Sequence, residues 1–159
     1  HISASMAALV WMFIEWKRFG KPSLIGVVTG MVAGLATVTP ASGYIGIPGG
    51  LILGFSGGLL CYLAVDYIRG KLLIDDSLDV FAVHGFGGIL GTLSIAFFGY
   101  AGWYEQISGV LIVGVYTLVI TYLIIIACKA LVPIRVKSDD EENGLDLSEH
   151  GEKAYSLNS

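Results

Sequence analysis

Residues 22–65 read PSLIGVVTGMVAGLATVTPASGYIGIPGGLILGFSGGLLCYLAV, forty-four positions without one Asp, Glu, Lys, Arg or His. A bilayer span needs about 20 mostly apolar residues. The stretch therefore holds two, divided near Pro40 and Pro48. A soluble domain carries about 25% charged residues, and this chain of 159 carries 14%, with 55% hydrophobic residues. The composition excludes a disordered protein and argues against a soluble domain. It points to an all-α, polytopic transmembrane helix bundle.

Working outward, four complete apolar segments follow a shorter one. The first runs from residue 1 to about 14 and ends in Glu15-Trp16-Lys17-Arg18. It has no initiator Met and no basic leader, so it reads as a helix cut near its outer end and not as a signal peptide. The others span about 23–38, 47–68, 79–100 and 107–131. Residues 1–132 form the transmembrane region and residues 133–159 a tail. The formal net charge of −4 belongs to the tail, because acidic and basic residues cancel before Pro133. No basic patch suits nucleic acid.

All nine Lys and Arg residues fall in alternate loops or the tail. Loop one holds Lys17, Arg18 and Lys21. Loop three holds Arg69 and Lys71. The end of the last span and the tail hold Lys129, Arg135, Lys137 and Lys153. The positive-inside rule makes that face cytoplasmic. The expected topology is a multi-pass protein of the cell (plasma or inner) membrane, N-terminus out and tail in. Gly26, Gly30 and Gly34, then Gly54 and Gly58, then Gly87 and Gly91 suit close helix packing. Cys61 and Cys128 form no CxxC pair and read as buried, inert thiols.

His84 is the most informative residue. It lies inside the fourth span, in Asp75-Asp76-Ser77-Leu78-Asp79-Val80-Phe81-Ala82-Val83-His84-Gly85-Phe86-Gly87-Gly88. An ionisable group inside a span is a functional candidate by default. The bland alternative is a core histidine bonded to a neighbouring helix. On a regular helix, Val80, Gly87, Gly88 and Gly91 flank it and leave a lane of little bulk. Asp79 would lie about 140° round and about 7.5 Å along the axis, poorly placed for a direct dyad. The acidic cluster Asp75 to Asp79 suits helix capping and the positive end of the dipole. A neutral imidazole donates one hydrogen bond and accepts one. It suits a small polar solute better than a bare alkali ion.

These residues resemble the ammonium transporter (Amt/Mep/Rh) family over nearly the whole chain. Asp75-Asp76-x-x-Asp79-Val80-Phe81-x-Val83-His84-Gly85-x-x-Gly88 is similar to its signature around a second pore histidine. Val38-Thr39-Pro40-Ala41-Ser42-Gly43-Tyr44-Ile45 and Glu15-Trp16 before Gly20-Lys21-Pro22-Ser23 resemble two further blocks. Gly144-Leu145-Asp146 and His150-Gly151-Glu152-x-Ala154-Tyr155 resemble the regulatory tail of the prokaryotic branch.

The resemblance implies part of an eleven-helix fold, with these spans as helices seven to eleven. The N-terminal half would lie outside this chain. It implies a homotrimer embedded in lipid, with one pore per subunit. It implies ammonium or ammonia as substrate, with methylammonium as analogue. His84 would be the second member of a twin-histidine pair, with Val80 and Val32 lining the pore. Asp79 and Thr39 would support the pore structurally. Gly144 and Asp146 would belong to the regulatory tail, and a PII-type signal protein would dock on the cytoplasmic face. No enzyme activity, cofactor or metal is implied. A different functional class, an ammonium sensor signalling through the tail, is the alternative.

Overall fold

The computed structural model describes residues 1–152. The Lys153, Ala154 and Tyr155 part of the tail motif lies outside the described residues. Those described are helical or connecting, with no strand among them. Helix α1 is Ile2–Phe19, α2 Leu24–Val38 and α3 Ile47–Gly70. A widened π-turn, Phe81–Gly85, leads into α4, Phe86–Phe97. Helix α5 is Trp103–Leu131, and two short helices follow, α6 Ser138–Asn143 and α7 Leu145–His150.

All five expected spans are therefore helices, but they differ in reach. At 1.5 Å per residue, α3 is about 36 Å long and α5 about 44 Å, against a hydrocarbon core of about 30 Å. Three helices have the length and apolar composition to cross a membrane: Leu24–Ala41, which includes a short 3-10 turn, Ile47–Gly70 and Trp103–Leu131. Helix α1 carries Glu15, Lys17 and Arg18 in its last turn and a half. The apolar helix Phe81–Phe97 is shorter, because the chain ahead of it is spent on a polar turn.

Local chemistry explains the boundaries. Gly20 ends α1 with φ +76, a left-handed cap that glycine adopts without strain. Ser23 caps α2, its Oγ accepting from Gly26 N at 2.9 Å. Glu15 reaches over the same corner and accepts from Ser23 N at 2.6 Å and from Ser23 Oγ at 3.1 Å. The Glu15…Ser23 spacing is thus a strap between α1 and α2. Pro40 enters the 3-10 turn Thr39–Ala41 that closes α2, and Pro48 sits in the first turn of α3, where its missing N–H costs nothing.

The chain divides into two compact units, the first being His1–Ile112 and the second beginning at Val113. Within the first, α1, α2, α3 and α4 pack through small residues. A Cβ on Gly34 would strike the Ser3 carbonyl, and one on Gly58 would lie 2.9 Å from Ala7 Cα. A Cβ on Gly30 would lie 2.7 Å from Trp11 Cγ. Ser3 Oγ donates to Gly34 O at 2.8 Å across this seam. Two small cores result, Ala33–Cys61–Val83 and Ala41–Leu53–Ile95. The large apolar side chains, such as Phe13, Phe55 and Phe97, face outward. Lipid is as apolar as they are, so contact area and backbone proximity drive this packing more than burial from water.

In the second unit, α6 and α7 meet at Gly144, whose φ of +98 is the left-handed side of backbone space. Arg135 Nη2 pairs with Glu141 Oε1 at 2.9 Å ahead of that corner. Cys128 departs from expectation. It is exposed, whereas Cys61 is buried. The reason is that α5 has no buried residue, so an apolar run there does not imply an inside position.

Gly34→Leu drives a branched side chain into backbone. It lowers the melting temperature of the complete gene product in detergent, at a cost of about 1–3 kcal/mol. An unchanged melting curve would contradict this seam.

Candidate functional site

The site forms around the entry to the fourth apolar helix. Asp76 accepts from three successive amides: Val80 N at 2.8 Å, Phe81 N at 2.9 Å and Ala82 N at 3.2 Å. The first amides of a helix have no partner inside it, and one carboxylate here satisfies three of them. Its charge also faces the positive end of the helix dipole. Asp75 accepts instead from Ser77 Oγ at 2.8 Å.

Asp79 takes a different role. Its φ is +55, a conformation that costs a non-glycine residue about 1–3 kcal/mol. Arg69 Nη1, at the end of α3, lies 3.4 Å from both Asp79 carboxylate oxygens. The Asp79 carbonyl accepts from Val83 N at 2.8 Å. Asp79 stands in the turn ahead of the apolar helix. Burial pushes its carboxyl above the ordinary value, Arg69 pulls the other way, and the Asp76 charge adds to the push. Asp79 therefore anchors the turn to α3 and makes no dyad with His84.

His84 lies in the π-turn Phe81–Gly85. Its side chain is exposed and makes no hydrogen bond among the described residues. Val80, one turn earlier, is also exposed. Val83, beside His84 in sequence, is only 2% exposed, and its carbonyl accepts from Cys61 Sγ at 3.8 Å. Val32 is half-buried on α2 against the cluster that contains Val83.

The lane expected beside His84 needs correcting. Gly87 and Gly91 do not border it. A Cβ on Gly87 would lie 3.0 Å from Thr37 Oγ1, and one on Gly91 would strike the Thr37 carbonyl. Both glycines pack α4 against α2. Counting 100° per residue assumes a regular helix, and the π-turn breaks that count between His84 and Gly87. Gly88 alone of the three has open space around it.

Thr39 is exposed, and its Oγ1 donates to Leu35 O at 2.6 Å, closing the end of α2. Gly144 and Asp146 belong to the second unit, at the corner between α6 and α7.

Sequence reasoning missed three features. Thr37 is fully buried and touches α3 and α4 through Gly57, Gly87 and Gly91. Trp11, 4% exposed, meets Tyr62 edge to face at 5.0 Å, and its Nε1 has no hydrogen-bond partner. Arg18 pairs with Asp66 at 2.6 Å and donates to Tyr62 Oη at 3.1 Å. Glu15, Ser23, Asp66, Arg69 and Asp79 help line a cavity of about 190 Å³ at this end of the bundle. The charges of Asp66 and Arg69 at the end of an otherwise uncharged α3 were the readable signal for it. Among the described residues, no group of three or more His, Cys, Asp or Glu could hold a metal ion.

An all-helical bundle with apolar outer faces and one unpartnered imidazole on a widened turn defines an integral membrane protein. This chain belongs to the ammonium transporter family: the Ammonium Transporter Family profile matches residues 1–155. It is 40% identical over 167 residues to ammonium transporter Amt1 of Archaeoglobus fulgidus, covering 96% of this chain and 42% of that protein. It is 39% identical to an ammonium transporter of Aquifex aeolicus, covering 98% of this chain and 40% of that protein. The crystal structure of Candida albicans Mep2 superposes with a TM-score of 0.76 at 28% identity, covering 87% of this chain and 35% of that one. The chain thus spans about two fifths of the length of these relatives. They are named as transporters, not as enzymes.

Asp76→Ala removes the acceptor for three amides, so it lowers the stability of the complete protein by about 1–2 kcal/mol. Asp75→Ala, which loses only a side-chain bond in the loop, changes it by under about 0.5 kcal/mol. Equal melting shifts for the two variants would refute the capping assignment.

Proposed function

We propose that this chain is the C-terminal part of an ammonium/ammonia transporter of the cell membrane. The observation that carries the reading is His84. It is an exposed imidazole without a partner among the described residues, set between an acidic entry turn and an apolar helix, in a chain of the ammonium transporter family. An imidazole so placed can accept a hydrogen bond from a small N–H solute and pass on a proton. In this reading His84 is the second histidine of a pair whose first member lies in the rest of the fold. Val80 and Val32 line the apolar passage. Asp79 and Thr39 support its two ends.

The whole assembly is proposed on the same footing. It is a homotrimer in lipid, with residues 1–132 in the membrane and residues 133–159 as a cytoplasmic regulatory tail. Gly144 and Asp146 shape that tail, and a PII-type signal protein docks on the same face. The supporting observations are the basic residues on alternate loops and the positive φ of Gly144.

The test is ammonium-evoked current in liposomes containing the complete gene product, with methylammonium as a second substrate. His84→Ala is expected to abolish the current or alter its selectivity. An unchanged, selective current would remove His84 from the path.

A further inference from the structure

The direction of the His84 side chain is set by where the widened turn begins. Each hydrogen bond of a π-turn reaches one residue further than in an α-helix. The helix before and after such a turn is therefore out of phase by one residue, about 100° of rotation. The far side is fixed independently, since Gly87 and Gly91 lie against Thr37. The near side is fixed by groups outside the helix. Asp76 holds the amides of Val80, Phe81 and Ala82. Asp79 holds Val83 N through its carbonyl while keeping a left-handed φ of +55. Arg69 holds the Asp79 carboxylate to the end of α3. From the other side, Cys61 Sγ donates to Val83 O. These contacts clamp Asp79 to Val83, immediately ahead of His84, and His84 itself takes part in none of them.

We propose that Asp76 and the Arg69–Asp79 pair are positioning residues for His84. They hold the widened turn in register, and so aim the imidazole, without touching the solute that passes it. The inference rests on the role given to His84 above. A cap that served stability alone would leave the imidazole where it is once the protein had folded.

The experiment uses the complete gene product labelled with ¹⁵N-histidine in lipid. The His84 imidazole resonances are assigned by their loss in His84→Ala, and current is recorded from the same preparations. In Asp76→Ala the His84 resonances are expected to move, while those of other histidines stay. The maximal current should fall about tenfold with little change in half-saturation, as for a misplaced reacting group. Asp76→Asn keeps one acceptor oxygen and should recover much of both signals. Folded Asp76→Ala protein with wild-type His84 resonances would overturn the proposal. Should that variant not fold, Arg69→Gln, which breaks the pair with Asp79, carries the comparison: a moved His84 resonance supports the proposal and an unmoved one overturns it. If the wild type passes no ammonium current, the transport reading fails, and the resonances still decide the positioning role.

Discussion

Three backbone amides converging on the Asp76 carboxylate are the contact on which the rest of the site depends. A helix that enters lipid cannot leave its first N–H groups to water. Asp76 satisfies them at the boundary, before the apolar residues begin. This lets the chain change from a polar loop to a membrane helix within a few residues. It also lets the first turn open to the π form without stranding a donor. His84 is carried by that turn, with Val83 pinned to α3 behind it.

Small residues do the complementary work. Ser3 and Ala7 on α1 meet Gly34, Gly54 and Gly58 on α2 and α3. Backbones approach closely there, and the large side chains are left for outer faces. Thr37 is the corresponding point between α2 and α4. It satisfies its own hydroxyl by donating to Ala33 O at 2.8 Å, so a polar residue is buried without an orphan. The packed part of the fold is thus a set of thin helices held at short distance. Its outer surfaces suit lipid.

Much of this was readable in the sequence. Uncharged runs of the right length, punctuated by Pro22, Pro40 and Pro48, locate α2 and α3 to within about two residues. The Glu15…Ser23 block is a strap, and the glycines of α2 are packing contacts as their spacing suggests. The widened turn was not readable. It is accompanied by a carboxylate bonded to amides four to six residues downstream and by a left-handed Asp79, and neither leaves a periodic trace. Hydrophobic spacing also could not show that Gly87 and Gly91 serve α2 and not His84. Nor could it show that Cys128 lies on an exposed face. An apolar run reports what the surroundings are, and in a membrane the surroundings are apolar on both sides of a helix.

The central claim is that His84 is aimed, by a widened turn closed on Asp76, at the face the rest of the protein completes. A cryo-electron microscopy map of the complete gene product in a lipid nanodisc tests it most directly. The account predicts Asp76 within hydrogen-bond reach of all three amides and the His84 imidazole open to an enclosed passage between the two halves of the subunit. A regular α-helix through Phe81–Gly85, with His84 facing lipid or packed against α2, would contradict it.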